Sequence, residues 1–139
     1  ILRSHTTTML SALRMVEELD AGPIYLKRPL SLEGRAEDIF RRAADLVYEL
    51  IAEIITKEPV PVPQRGEPVI FRRRKPEESR LPQQADAAAL YDFIRMLDAP
   101  TYPKAFAEWG DFRLEFDHAS LVTADAIEAR VTLRRQGDG

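Results

Sequence analysis

Apolar residues recur along residues 35–57 at intervals of three, four and seven: Ile39, Phe40, Ala43, Leu46, Val47, Leu50, Ile51, Ile54 and Ile55. That spacing puts them on one broad stripe of an α-helix, the strongest element the sequence predicts. Ser31 and Gly34 are start signals, Glu37 and Asp38 complement the positive helix N-terminus, and Lys57 with Pro59 closes it. Upstream, the apolar run Met9 to Val16 suits a buried strand, with a helix as the competing reading. Glu17 to Pro23 breaks that run, since Gly22 permits unusual backbone angles and Pro23 lacks a donor. Ile24 to Arg28 reads as a second short strand ended by Pro29, so the expected order is strand, acidic loop, strand.

Beyond the long helix, alternating prolines make residues 59–66 a stiff, extended connector, and a boundary is placed there. Glu67 to Phe71 is a short strand candidate, and Arg72 to Arg80 a charged turn region. Ala87, Leu90, Tyr91, Ile94 and Leu97 give helical spacing to residues 85–97, with Asp86 as an early-turn acid. Ala105 to Trp109 and Phe112 to Phe116 alternate on either side of Gly110-Asp111, the pattern of a β-hairpin. Ile127 to Leu133 alternates again as a third strand, and Arg134 to Gly139 reads as a frayed tail. The aromatics Tyr91, Phe93, Tyr102, Phe106, Trp109, Phe112 and Phe116 are expected in the core and not as a binding platform.

Composition narrows the classes. The 139 residues carry 20 Lys plus Arg against 23 Asp plus Glu, a net charge of −3, and no Cys. Disulfide frameworks, zinc ribbons and thiol nucleophiles are thereby excluded, and the absence of Cys is compatible with a reducing, cytoplasmic setting. No apolar run is long enough to cross a membrane as a helix. The acidic balance argues against a general nucleic-acid binder. The chain opens on Ile1 without a basic or apolar leader region, and the expectation is a piece of a longer protein.

Candidate chemistry is sparse. There is no Walker loop, complete dinucleotide fingerprint or nucleophile elbow, and His5 and His118 are too far apart in sequence for a metal motif, so no metal is expected. The informative stretch is Glu17-Glu18-Leu19-Asp20-Ala21-Gly22-Pro23, three carboxylates in a tight loop between two strands. Spacing alone favours a solvated acidic turn, yet an Asp beside a Gly turn can also accept a proton or orient a His. Arg72-Arg73-Arg74-Lys75 reads either as a phosphate contact or as a solvated strand end pairing with Glu77 and Glu78, and the second is the reading taken.

Leu19-Asp20-Ala21-Gly22-Pro23-Ile24 closely resembles the Asp-containing loop of the formyltetrahydrofolate-dependent formyltransferases, a family that includes methionyl-tRNA and nucleotide-sugar N-formyltransferases. Ser11 to Val16 resembles the strand before that loop, Phe71 to Ser79 the stretch opening the C-terminal domain, and Arg95 to Phe106 the segment after it. The resemblance implies an α/β chain: the C-terminal end of a Rossmann-like formyltransferase domain (1–58), a Pro-rich linker (59–66), and a small α+β extension with a β-hairpin (67–139). It also implies a family catalytic set of Asn, His and Asp, of which Asp20 alone matches here. His5 lacks the family's His-Pro-Ser-type context and is not carried over, so this chain by itself is expected to be inactive.

By the same resemblance, Val16, Glu17, Glu18, Leu19 and Asp20 would wrap the pterin of 10-formyltetrahydrofolate, the formyl donor. The acceptor would be a primary amine on a small molecule. Residues 66–139 hold eleven basic and thirteen acidic residues, net −2, which weighs toward a nucleotide-linked aminosugar and leaves methionyl-tRNA second. Expected partners are that small amine, an upstream catalytic half and a second copy of the chain, with no membrane. The non-catalytic alternatives are a folded interaction module and a folate-binding module without turnover.

Overall fold

A computed structural model describes residues 1–67 and 69–136. The chain divides into two compact units, Thr6–Glu33 with Ile39–Arg72, and Ile1–His5 with Gly34–Asp38 and Arg73–Gly139. The first unit holds an antiparallel pair, β1 (Thr7–Leu13) and β2 (Ile24–Ser31), and most of α1 (Ala36–Lys57). The second holds α2 (Ala87–Arg95) and a three-stranded antiparallel sheet of β3 (Ala105–Trp109), β4 (Phe112–Thr123) and β5 (Ala126–Arg135) in sequential order. Mixed helices and sheets with a C-terminal β-hairpin are the architecture expected of the C-terminal portion of a formyltransferase. No helix among the described residues is long and apolar enough to cross a membrane.

In the first unit, β1 ends at Leu13, earlier than the apolar run, because residues 14–16 leave the ladder to enter the loop. β2 continues through Pro29 to Ser31, where the sequence predicts a stop. The Leu32 amide donates to Thr6 O at 2.8 Å. By the two-residue alternation of a strand, the Pro29 nitrogen therefore faces away from β1, and no ladder bond is lost. α1 buries Ile39 and Leu50, while Phe40, Val47, Ile51 and Ile55 are exposed. The predicted stripe is thus only half covered among the described residues. Arg28 pairs with Glu53, and Arg42 donates to Ser31 O at 3.1 Å and to Glu33 O, fixing helix to hairpin.

Residues 59–66 are held in place. Ile24 and Val62 exchange backbone bonds of 2.8 Å in each direction, so the Pro-rich stretch runs along the outer edge of β2. Prolines on either side of Val62 remove donors from that edge and keep the pairing to one bridge. The strand expected from Glu67 to Phe71 is absent at Glu67 and Val69–Phe71, and Pro68 lies outside the described residues. A short run that pairs with no strand among the described residues forms no ladder, and Val69, Ile70 and Phe71 are exposed.

The second unit is organised by Ile94, Leu97 and Ala105, with Phe93, Met96, Phe116, Ile127 and Ala129 packed on them. Asp86 caps α2 by accepting from the Ala89 amide at 2.7 Å, one position ahead of the helix proper. Gly110 adopts φ 55° in the two-residue turn joining β3 and β4, as the Gly-Asp pair predicts. β4 runs seven residues past Phe116, and β5 reaches Arg135, with Gln136 donating to Asp111 O at 2.8 Å. The frayed tail is therefore strand through Arg135, and Gly137–Gly139 lie outside the described residues. Phe106 is core, but Trp109 is 69% exposed and Tyr102 and Phe112 are exposed as well, because the hairpin end and the segment after α2 project past the core.

Candidate functional site

The loop joining β1 to β2 carries every site residue expected from sequence. Val16, Glu17, Glu18, Leu19 and Asp20 are all exposed, and Asp20 sits at φ 56° in the left-handed region that Asp tolerates better than most residues. Its closure depends on Gly22. The Arg14 amide donates to Pro23 O at 2.8 Å, drawing the two strand ends together. A Cβ at Gly22 would stand 1.8 Å from Arg14 O, an impossible contact. We expect Gly22→Ala to open the loop and lower the stability of the hairpin unit by about 2 kcal/mol or more, read by chemical denaturation. An unchanged unfolding midpoint would show that the strand ends do not need this approach.

Gln64, assigned by sequence only to the connector, reaches into the same loop. Its Nε2 donates to Asp20 O at 2.7 Å and to Gly22 O at 2.8 Å. One amide thus ties both flanks of Ala21 to the Pro-rich stretch. Nothing in the local sequence signals this, since 44 and 42 residues separate the partners.

Leu13, Arg14, Met15, Val16, Glu18, Leu19, Asp20 and Gly22 line a hollow of about 230 Å³. Glu17 lies in the same loop, outside that lining. Apolar side chains beside an exposed loop backbone suit a flat heteroaromatic ring, whose faces take apolar contact and whose edges take amides and carbonyls. The hollow is half open, and its volume and apolar lining are compatible with the ring end of a folate.

A second polar cluster lies at the β-bulge of β4. His118 sits there at φ 50°, and its amide donates to Asp98 Oδ2 at 2.8 Å. The Asp98 side chain is only 3% exposed and takes Lys104 Nζ at 2.6 Å. Asp117 accepts two bonds from Arg130, at 2.6 and 2.8 Å, and lies 2.9 Å from His118 Nδ1. Arg35 Nη1 stands 2.8 Å from His118 Nε2 and 3.8 Å from Asp98. Asp98, Asp117 and His118 offer ligand atoms within 4.8 Å of one another, but Lys104, Arg35 and Arg130 already supply the positive charge. The described residues here form an ion-pair network.

The Arg130 guanidinium, with a smaller contribution from His118, holds the Asp117 carboxyl down at about 2, below its ordinary 3.8. A depressed carboxylate stabilises the fold above its unfolded pKa, and that contribution is lost as pH falls toward 2. We expect wild type to lose stability more steeply than Asp117→Asn between about pH 4 and 2, measured by urea unfolding at each pH. Parallel slopes would remove Asp117 from the acid response.

Comparison with known proteins bears on these two units. The family model described as methionyl-tRNA formyltransferase, C-terminal domain, matches residues 76–134. A solved methionyl-tRNA formyltransferase from Clostridium thermocellum is 42% identical, with a TM-score of 0.91 over 96% of this chain. The chain belongs to the formyltransferase family, as its C-terminal portion. It spans 59% of the length of that relative. Two variants of HypX from Aquifex aeolicus share the fold, at 18% identity and TM-scores of 0.63 and 0.64, over 85% of this chain and 22% of theirs.

Family membership corrects the expected acceptor. Both formyltransferase matches carry the methionyl-tRNA name, against the expectation of a small aminosugar with tRNA second. The net charge misled because a sum of −2 says nothing of where the charges lie, and many of them are held in ion pairs with one another. Asp92, Asp98, Glu108, Glu115 and Asp117 pair with Arg95, Lys104, Arg80, Arg134 and Arg130. A summed charge does not report what such pairing leaves on the surface.

Proposed function

We propose that this chain is the C-terminal portion of a cytoplasmic formyltransferase that moves the formyl group of 10-formyltetrahydrofolate onto the amine of methionyl-tRNA. The observation that carries this reading is the near-complete structural likeness to a methionyl-tRNA formyltransferase. The donor, when bound, supplies an electrophilic formyl carbon. Val16, Glu18 and Leu19 would hold its ring in the loop hollow, and Asp20 would hold or accept the proton that the attacking amine gives up. Gln64 and Gly22 keep the Asp20 backbone in the conformation that presents the carboxylate. The Asn and His that complete the family's set have no counterpart in this chain, so it serves here as one wall of the site.

The test is an assay of the complete protein with 10-formyltetrahydrofolate, offering methionyl-tRNA and a nucleotide-linked aminosugar in parallel. Formyl-methionyl-tRNA as the product supports the proposal. Transfer to the aminosugar alone, or to neither, overturns it.

A further inference from the structure

The second unit contains a cavity that the formyl-transfer reading does not use. It is a half-open hollow of about 900 Å³ lined by Arg73, Arg74, Lys75, Pro76, Ser79, Met96, Leu97, Thr101, Tyr102 and Pro103. That volume lies in the range that holds a small-molecule ligand. Its lining combines three cations, Arg73, Arg74 and Lys75, with the apolar Met96, Leu97 and Pro103.

The three cations are not equivalent. Arg74 is committed to the protein, donating to Glu78 O at 2.5 Å, approaching Met96 Sδ at 3.8 Å and lying 5.6 Å from the Phe93 ring centre. Glu78, the neighbouring acid, spends an oxygen on the Lys75 backbone amide at 2.8 Å and not on its ammonium. Arg73 and Lys75 are exposed, and their side-chain charges have no ion pair or hydrogen bond among the described residues. Two unneutralised cations beside an apolar hollow are the combination that recognises an anion with a hydrophobic body.

We propose that this cavity binds a nucleoside phosphate. The phosphate would sit between Arg73 and Lys75, and the base would lie over Met96, Leu97 and the ring of Tyr102. An aromatic face accepts any base by stacking, and the cations supply the affinity for phosphate. Inorganic phosphate satisfies only the cations, and a nucleoside only the apolar lining. Pro76, which starts the short helical turn Pro76–Ser79, restricts Lys75 to the extended backbone it adopts at φ −100° and ψ 154°.

The experiment is a titration of the 139-residue chain with ADP, followed by calorimetry and by the Met96 methyl signal in NMR. The expected result is saturable binding that shifts the Met96 methyl, with adenosine and inorganic phosphate each binding at least about tenfold more weakly. The double substitution R73S/K75S, at two exposed side chains, should weaken ADP by at least about tenfold with an unchanged melting temperature. Three results would overturn the proposal: ADP binding no tighter than inorganic phosphate, ADP affinity indifferent to R73S/K75S, or capture of a short RNA through the arginine run by a chain that ignores ADP.

Discussion

Asp20→Asn is expected to lower formyl transfer by the complete protein about 10²–10⁴-fold, the usual contribution of a positioned acid–base group. Asparagine keeps the shape of the side chain and tolerates the left-handed backbone that Asp20 adopts at φ 56°. The loop should therefore stay folded, and the loss should appear in turnover with little change in donor binding. Gln64→Ala separates geometry from chemistry. It removes the donor to Asp20 O and Gly22 O while leaving the carboxylate in place, so a smaller loss is expected, about tenfold. Its pH–rate profile should stay unchanged, since no titrating group is removed. Near-normal turnover in Asp20→Asn would take this residue out of the mechanism. A loss in Gln64→Ala as deep as that of Asp20→Asn would mean that loop geometry, and not the carboxylate, limits the rate.

The largest effect on stability is expected at Asp98. Its carboxylate is buried and takes Lys104 Nζ on one oxygen and the His118 amide on the other, with Arg35 at 3.8 Å. Its backbone oxygen accepts from the Glu37 amide at 3.1 Å, at the first turn of α1. Asp98→Ala leaves the ammonium and the bulge amide without their acceptor. Removing one partner of a buried pair costs about 3–5 kcal/mol, a fall of roughly ten degrees or more in melting temperature for a unit of this size. Asp98→Asn retains one acceptor oxygen and should cost less. A loss under about 1 kcal/mol for the alanine variant would show that the β4 bulge holds itself without this anchor.

Elements with local causes were legible in the sequence. The helix over Ala36–Lys57 follows from a stripe that repeats for six turns, and the β3–β4 hairpin from alternation around Gly110-Asp111. The candidate loop was legible as a motif, because Asp20, Gly22 and Pro23 fall within four consecutive residues. Elements whose ends depend on distant partners were not. β2 survives Pro29 only because the ladder bonds on that side come from other residues, and the described residues of the run after Gly66 join no strand ladder. The exposure of Trp109 could not be inferred from its alternation, since a hairpin presents alternating residues to two faces and its tip leaves both.

By itself the order of residues determined that an acidic turn with Asp20 at its centre joins two strands, because backbone preference and the Gly-Pro pair act over a few positions. Tertiary structure alone decided that Gln64 clamps that turn, that Arg73 and Lys75 meet no acid among the described residues while Glu115 and Asp117 are paired, and that Asp98 becomes a buried anchor. Those outcomes depend on which side chains meet across tens of residues. A carboxylate in water and one beside a buried ammonium carry the same letter in the sequence, and only their surroundings separate them.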